Sequence, residues 1–483
     1  MMTIARKSPL LAALMLTTLL VWEPASARTW TQAESGRTIE AEFVRASGDK
    51  VHLRLVGGDI VPVPLASLSK ADQAFVAAAA AKGGGGADWP TWRGPDRNSH
   101  SPDQGLLEEW PAGGPKLVWT FRDAGKGYSA PAIVGDKIYL TGTRKGKAEV
   151  ICLNKADGSE AWSAVIGDDP NEGYNASWGG GTRGAPTVDD GMVYAISANG
   201  DLAAVSTADG KKKWGKSFIK DFNGKVPTWG YAESPLVDGD KLLVTPGGKG
   251  GAIAALDKKS GKVLWQSEGL EDEAQYSSII IADGEVQKQY VQFFMKKLAG
   301  VDAATGKLLW SSPWPQGRTA MIPTPIYHDG HVFMTGGYGS GCKLVDIRDN
   351  KGEVVWENKV MKNHHGGVVL VDDHLYGFSD GGGLTCQEWK TGERVWNESG
   401  QGIQKGSVHY ADGMLYCLDE KEGSVFLAKA TPKGFEEKGR FPLPEKTKLR
   451  EGTQGKVWTH PVVLNGKLYL RDQDLFWCYD VKG

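Results

Sequence analysis

The chain has 483 residues, of which 65 are glycine and 18 tryptophan, and its formal net charge is −2. That near-neutral balance excludes a nucleic-acid partner held by bulk electrostatics, and no basic run or basic amphipathic helix points to a membrane surface. So many glycines and tryptophans suit a fold of tight turns anchored by large aromatic side chains.

Residues 1–27 read as a secretory signal. Arg6 and Lys7 give a positive start, residues 10–21 are an apolar core too short to span a bilayer, and Ala25-Ser26-Ala27 is a small-residue cleavage site. The first cysteine is Cys152, so no N-terminal lipid anchor is expected, and no other segment is apolar enough to span a membrane. The expectation is a periplasmic or secreted protein, soluble and monomeric.

Residues 28–76 form a small separate unit. Val51, Leu53 and Leu55 alternate along a strand, Gly57-Gly58-Asp59 turns the chain into a strand over 60–63, and 40–44 precedes them as another. Ser69, with Asp72 three residues on, caps a helix over 71–81. The stretches Arg28-Thr29-Trp30-Thr31, Ala41-Glu42-Phe43 and Val61-Pro62-Val63-Pro64-Leu65 resemble the SH3-like homology domain first described in a yeast endocytic adaptor. That resemblance implies a small barrel that binds short peptides or serves as a docking module. Residues 77–88 then read as an Ala/Gly linker.

Residues 89–114 are a lead-in. Asp88-Trp89-Pro90-Thr91-Trp92-Arg93-Gly94-Pro95 is too rich in Pro and Gly for regular structure, and its tryptophans suit packing against a surface. From 115 to 483 one phrase recurs. Thr305-Gly306 makes a turn and Leu308 and Trp310 follow on one strand face; equivalents end in Trp162, Trp214, Trp265, Trp356 and Trp396. The tryptophans are 52, 51, 45, 46 and 40 residues apart, a period that marks a β-propeller, with the tryptophan docking each blade on the next.

Inner strands open at Ser129, Gly184, Glu233, Tyr276, Pro323, His365, Lys405 and Thr459, giving eight blades; seven follow if one opening is misread. The seventh is degenerate, with Phe435 near the tryptophan position. Strands over 461–464, 467–470 and 475–479 lack a fourth, which the segment ending in Trp119 supplies from the N-terminal side. The fold expected is all-β: an eight-bladed propeller closed by its N- and C-terminal strands and preceded by a small SH3-like β-barrel.

These repeats resemble the quinoprotein-type eight-bladed propellers, which include the pyrroloquinoline quinone (PQQ) alcohol dehydrogenases and the scaffold lipoprotein of outer-membrane protein assembly. The lead-in, Gly336-Gly337-Tyr338-Gly339-Ser340-Gly341-Cys342 and Asn363-His364-His365-Gly366-Gly367 are similar to exported PQQ-binding-like repeat proteins. The resemblance implies catalysis only where calcium ligands, a carboxylate base and two adjacent cysteines surround the quinone. Here Cys152, Cys342, Cys386, Cys417 and Cys478 stand singly and read as buried free thiols.

A ring of residues entering the inner strands converges on the channel mouth: Tyr128, Arg183, Tyr231, Glu233, Tyr276, His364, His365, Lys405, Trp458 and His460, with Trp178 and Trp229 beside them. Adjacent histidines in a strand face opposite ways, so only one of His364 and His365 should face the channel. A metal held by His460, one of that pair and Glu233 is conceivable, but hydrogen bonding to nearby backbone is the expected role and no metal is assigned. Gly336–Gly341 lacks the following helix of a phosphate loop and reads as a turn between second and third strands. The function expected is a non-catalytic binding or scaffold module for an envelope protein, a peptide, or a small-molecule or carbohydrate ligand, without a cofactor. The alternative is a PQQ-and-calcium or metal-dependent oxidoreductase acting on alcohols or sugars.

Overall fold

The computed structural model describes residues 28–47, 50–55, 60–82, 87–283, 286–314, 320–400 and 402–483. The signal segment, the 57–59 turn and the linker glycines lie outside the described residues. The chain divides into two compact units, 1–82 and 83–483.

In the first unit, strands Arg28–Thr31, Thr38–Ser47, Lys50–Leu55 and Ile60–Pro64 pair in sequence order as an antiparallel meander, followed by the helix Lys70–Lys82. Trp30, Ala41, Val51, Leu53, Leu68 and Val76 form its core. Ser69 caps the helix by accepting from the Asp72 amide at 3.2 Å. The buried Asp72 carboxylate takes Arg28 Nη2 at 2.6 Å and the Thr31 amide at 2.9 Å, tying the helix to the first strand.

The second unit is eight four-stranded antiparallel sheets, one per blade. Blade 1 comprises Ala132–Val134, Lys137–Arg144, Lys147–Asn154 and Glu160–Asp168, and six more blades follow in chain order. Blade 8 takes Val462–Leu464, Lys467–Asp472 and Leu475–Asp480 from the C-terminal end and Lys116–Phe121 as its outer strand, with Cys478 opposite Trp119. The shared blade ties the two ends of this unit together, because the Leu475–Asp480 strand pairs with Lys116–Phe121 instead of ending as an edge. Arg471 seals the same seam: wholly buried, it donates to the carbonyls of Ser129, Thr141, Ala124 and Gly125 beside or within blade 1.

The repeated tryptophan docks each blade on the next blade's turn glycine. A Cβ on Gly158 would sit 2.5 Å from the Trp119 ring, and one on Gly306 would sit 2.4 Å from the Trp265 ring. Trp162, Trp214 and Trp356 also donate Nε1–H to carbonyls of the neighbouring blade, at 3.1, 3.1 and 2.9 Å. The glycine is needed twice over, for this close approach and for its positive φ. Blade 7 lacks the tryptophan, and Phe435 packs back on Trp396. Trp110 of the lead-in fills the gap instead, against Tyr416 of blade 7 and Phe441 of its outer strand, in the core shared with blade 8.

The surface on which the lead-in packs is the channel itself. Trp89 exchanges backbone hydrogen bonds with Ile133 of blade 1, and Pro90 accepts from Val188 of blade 2. Arg97 donates to Ser234 and Pro235 at blade 3 and to Ile279 at blade 4. Trp92 donates to Thr324 of blade 5 at 2.9 Å, and Arg93 to Val368 of blade 6. Ser99 and Ser101 pair with Tyr410 of blade 7, and Asp103 accepts from Gly466 of blade 8. Residues 89–103 therefore reach all eight blades. Inner strands leave a row of unpaired backbone groups around the axis; the lead-in satisfies many of them because its own Pro/Gly backbone makes few internal hydrogen bonds.

Candidate functional site

Above this plug the inner-strand openings surround a cavity of about 650 Å³, within the range of roughly 300–1,000 Å³ usual for small-molecule sites. Tyr128, Arg183, Tyr276, His364, His365, Lys405, Trp458 and His460 line it, together with Trp178 and Trp229. Tyr231 and Glu233 do not. Tyr231 is buried in an interblade core, its hydroxyl donating to the carbonyls of Lys225 and Pro246. Glu233 is buried behind the wall, where Oε1 accepts from the Thr245 amide and Oε2 has no partner.

Both histidines of the pair face the cavity, contrary to strand alternation, because residues 361–367 are irregular and the strand begins only at Val368. Gly367, at φ +67°, then turns the chain into it. The two imidazoles stack at 3.9 Å, and His365 stacks on Trp458 at 4.4 Å. Tyr338 packs edge-on against His364 at 4.2 Å, and Trp458 meets Tyr128 at 5.2 Å. One aromatic wall thus runs from blade 5 through blades 6 and 8 to blade 1. The glycine turn over 337–340 seats this wall: a Cβ on Gly337 would lie 2.7 Å from the His364 ring.

The polar groups are mostly held by the protein. Lys405 Nζ is 3.1 Å from Asp380 and 3.2 Å from His364 Nδ1. Arg183 donates to the carbonyls of Trp229 and Gly179 and lies over the Tyr128 ring. Glu420 Oε2 accepts from the Trp458 indole at 2.8 Å and lies 3.5 Å from His365 Nδ1. Burial works to raise the Glu420 carboxyl, but His365 and the indole prevail and hold it below its ordinary value. Burial, with His365 and Lys405 nearby, drives the His364 pKa far down, and burial takes His460 down to about 3. Both rings are neutral at physiological pH.

Five charged or aromatic lining residues escaped the sequence reading: Trp92, Arg93, Tyr338, Glu420 and Lys456. Tyr338 and Glu420 sit in turns after second strands. In an antiparallel blade the end of the second strand lies at the same end as the start of the first, so those turns are a readable signal. Trp92 and Arg93 arrive from the plug.

Quinone chemistry finds a poor fit. Glu420 is the one carboxylate among the described lining residues, and it is already engaged. Calcium beside a quinone needs several oxygen ligands. Among the described residues no group of three His, Cys, Asp or Glu side chains converges as for a metal, and the five cysteines are single, buried thiols.

A family profile described as "Outer membrane protein assembly factor BamB" matches residues 19–231 and 147–398. The outer membrane protein assembly factor BamB of Shewanella oneidensis is 26% identical over 252 residues, covering 49% of this chain and 60% of that protein. A polyvinylalcohol dehydrogenase of Pseudomonas sp is 26% identical over 262 residues, 52% of this chain and 35% of that enzyme. The chain thus spans less than two thirds of these relatives' lengths. The crystal structure of BamB from Moraxella catarrhalis superimposes with a TM-score of 0.54 at 17% identity, over 76% of this chain and 99% of that one, a likeness of fold.

Proposed function

The chain belongs to the outer membrane protein assembly factor BamB family, and we propose that it serves the cell envelope as a non-catalytic binding propeller, recognising a ligand or envelope partner at its central cavity. One observation carries the reading: a concave, aromatic-walled cup, floored by the protein's own lead-in, whose carboxylate and most of whose cations are already held by neighbouring side chains or backbone carbonyls. Such a cup binds. It offers neither a nucleophile beside a base nor a free carboxylate for proton abstraction.

On this reading residues 1–27 direct export, the protein works in the periplasm or outside the cell, and the N-terminal meander is a docking module. No described helix is long and apolar enough to cross a membrane. The test is photo-crosslinking in the producing cell from a benzoylphenylalanine placed at Trp178, on the rim, and at Leu264, on an exposed outer strand. A recognition cavity gives an adduct from position 178 that is lost when Trp458 is also changed to Ala. Adducts from position 264 alone would overturn the reading.

A further inference from the structure

The cavity's chemistry narrows its ligand. Trp178, Trp458 and Tyr128 form one continuous aromatic surface, with Trp178 and Trp458 centred 6.2 Å apart and Tyr128 donating to the Trp178 carbonyl at 2.7 Å. Trp178 is 38% exposed although it lines a concave site, so its face is left for an occupant. Flat aromatic faces take apolar C–H surfaces, and their edges do not.

Hydrogen-bonding capacity around that face is of both kinds. An ammonium only donates, so the 3.2 Å contact from Lys405 makes His364 Nδ1 an acceptor. The neutral ring then carries its proton on Nε2, which is buried and has no partner. His460 donates Nε2–H to the His365 carbonyl at 2.8 Å, leaving Nδ1 as a buried acceptor without a partner. Both imidazoles are more than nine-tenths buried, at 8% and 6% exposure, and both line the cavity. Orphaned buried groups of both signs call for a ligand that accepts and donates. A ring with apolar C–H faces and hydroxyls at its edge does both.

The charge is also uneven. Arg93, Arg183, Lys405 and Lys456 line the cavity against the single carboxylate of Glu420. Lys405 is neutralised by Asp380, but Lys456 makes no ion pair among the described residues. It stands two residues before Trp458, and Arg183 lies over Tyr128 on the same wall. A ligand that stacks on this wall therefore has its acidic group drawn to Arg183 and Lys456.

Resting on the binding function proposed above, we propose that the occupant is an acidic carbohydrate: a sugar ring stacked on the Trp178–Trp458 face, with hydroxyls paired to His364 and His460 and its carboxylate toward Arg183 and Lys456. A planar polyanion would use the same cations and the aromatic face but has few hydroxyls for the histidines.

The test titrates the purified full chain, by tryptophan fluorescence and calorimetry, with uronic- and sialic-acid mono- to tetrasaccharides, each paired with its methyl ester. At least one acid should bind saturably, with its ester about tenfold weaker. Trp178→Ala should lose about tenfold without a change in melting temperature, and Lys456→Gln should reduce the preference for acid over ester several-fold while leaving ester binding intact. Equal binding of acids and esters, or no saturable binding by any of them at millimolar concentration, overturns the proposal. If crosslinking from position 178 still captures a partner in that case, cavity recognition survives and only the ligand class is wrong.

Discussion

Lys405 Nζ lies 3.2 Å from Nδ1 of His364, so one lysine both repels a proton from the ring and fixes which nitrogen carries the neutral ring's hydrogen. Replacing Lys405 with Met removes the repulsion and leaves Asp380, 4.0 Å from the same nitrogen, without its cation. Both changes favour imidazolium. In NMR titrations of the ring carbons, Lys405→Met should move His364 protonation upward by on the order of one pH unit.

Glu233 and Arg97 make stability depend on pH at the plug. Burial raises the Glu233 carboxyl to about 7, against the Thr245 hydrogen bonds and Arg97, which lower it. The ordinary value in the unfolded chain is about 4.3, so the group favours folding fully below about 4.3 and loses that contribution as pH rises toward about 7. The whole effect is at most about 3–4 kcal/mol. Glu233→Gln should flatten the stability profile over that window in urea denaturation. His100 and His460, held by burial at about 4 and about 3, slope the other way. Their penalty is absent above about 6.5 and grows as pH falls, so the acid limb should persist in the variant.

Arg97 ties blades 3 and 4 to the plug through buried carbonyls. Arg97→Met should cost about 3–5 kcal/mol at pH 8, because the buried carbonyls of Ser234, Pro235 and Ile279 lose their donor and Glu233 loses the nearby cation that favours its charged form. Adding Glu233→Gln should recover part of the loss, which a double-mutant cycle reads directly.

Gly261 faces Trp214 at the blade-to-blade contact, where a Cβ would come within 2.7 Å of the ring, and its φ is +71°. Gly261→Ala should destabilise by about 1–3 kcal/mol, by overpacking and backbone strain together. Gly239, at φ +58° with nothing within 4 Å of its added Cβ, supplies the control: Gly239→Ala carries strain alone and should cost less in the same melts.

Trp110 replaces the tryptophan missing from blade 7. Truncation to Ala opens the core shared by blades 7 and 8 and should cost about 3–5 kcal/mol. The same change at Trp178, which is 38% exposed, should leave the melting temperature in place.

The propeller could be read because each tryptophan-and-glycine phrase is a local device repeated at a fixed spacing, and local devices survive in sequence. The shared blade could be read for the same reason, since three strands without a fourth at one end answer a lone strand at the other. The plug could not be placed: Trp89, Arg93 and Arg97 form hydrogen bonds with residues 44 to 275 positions away, and no periodicity records such partners. Glu420 and Tyr338 lie in turns after second strands, which return to the same end as the strand starts but carry no repeated phrase to mark them. Tyr231 and Glu233 show the converse limit: an opening residue can point behind the wall as easily as into the cavity.

The most direct test of a non-catalytic cavity is titration of the purified protein with PQQ and calcium, followed by absorbance and thermal shift, then assayed for dye reduction with alcohols and sugars. With Glu420 committed to Trp458 and His365, no calcium-dependent saturable binding and no substrate-dependent dye reduction should appear. Saturable calcium-dependent binding with alcohol-dependent reduction, lost in Arg183→Ala and Lys405→Ala, would contradict the binding-propeller function and make the protein a quinoprotein dehydrogenase.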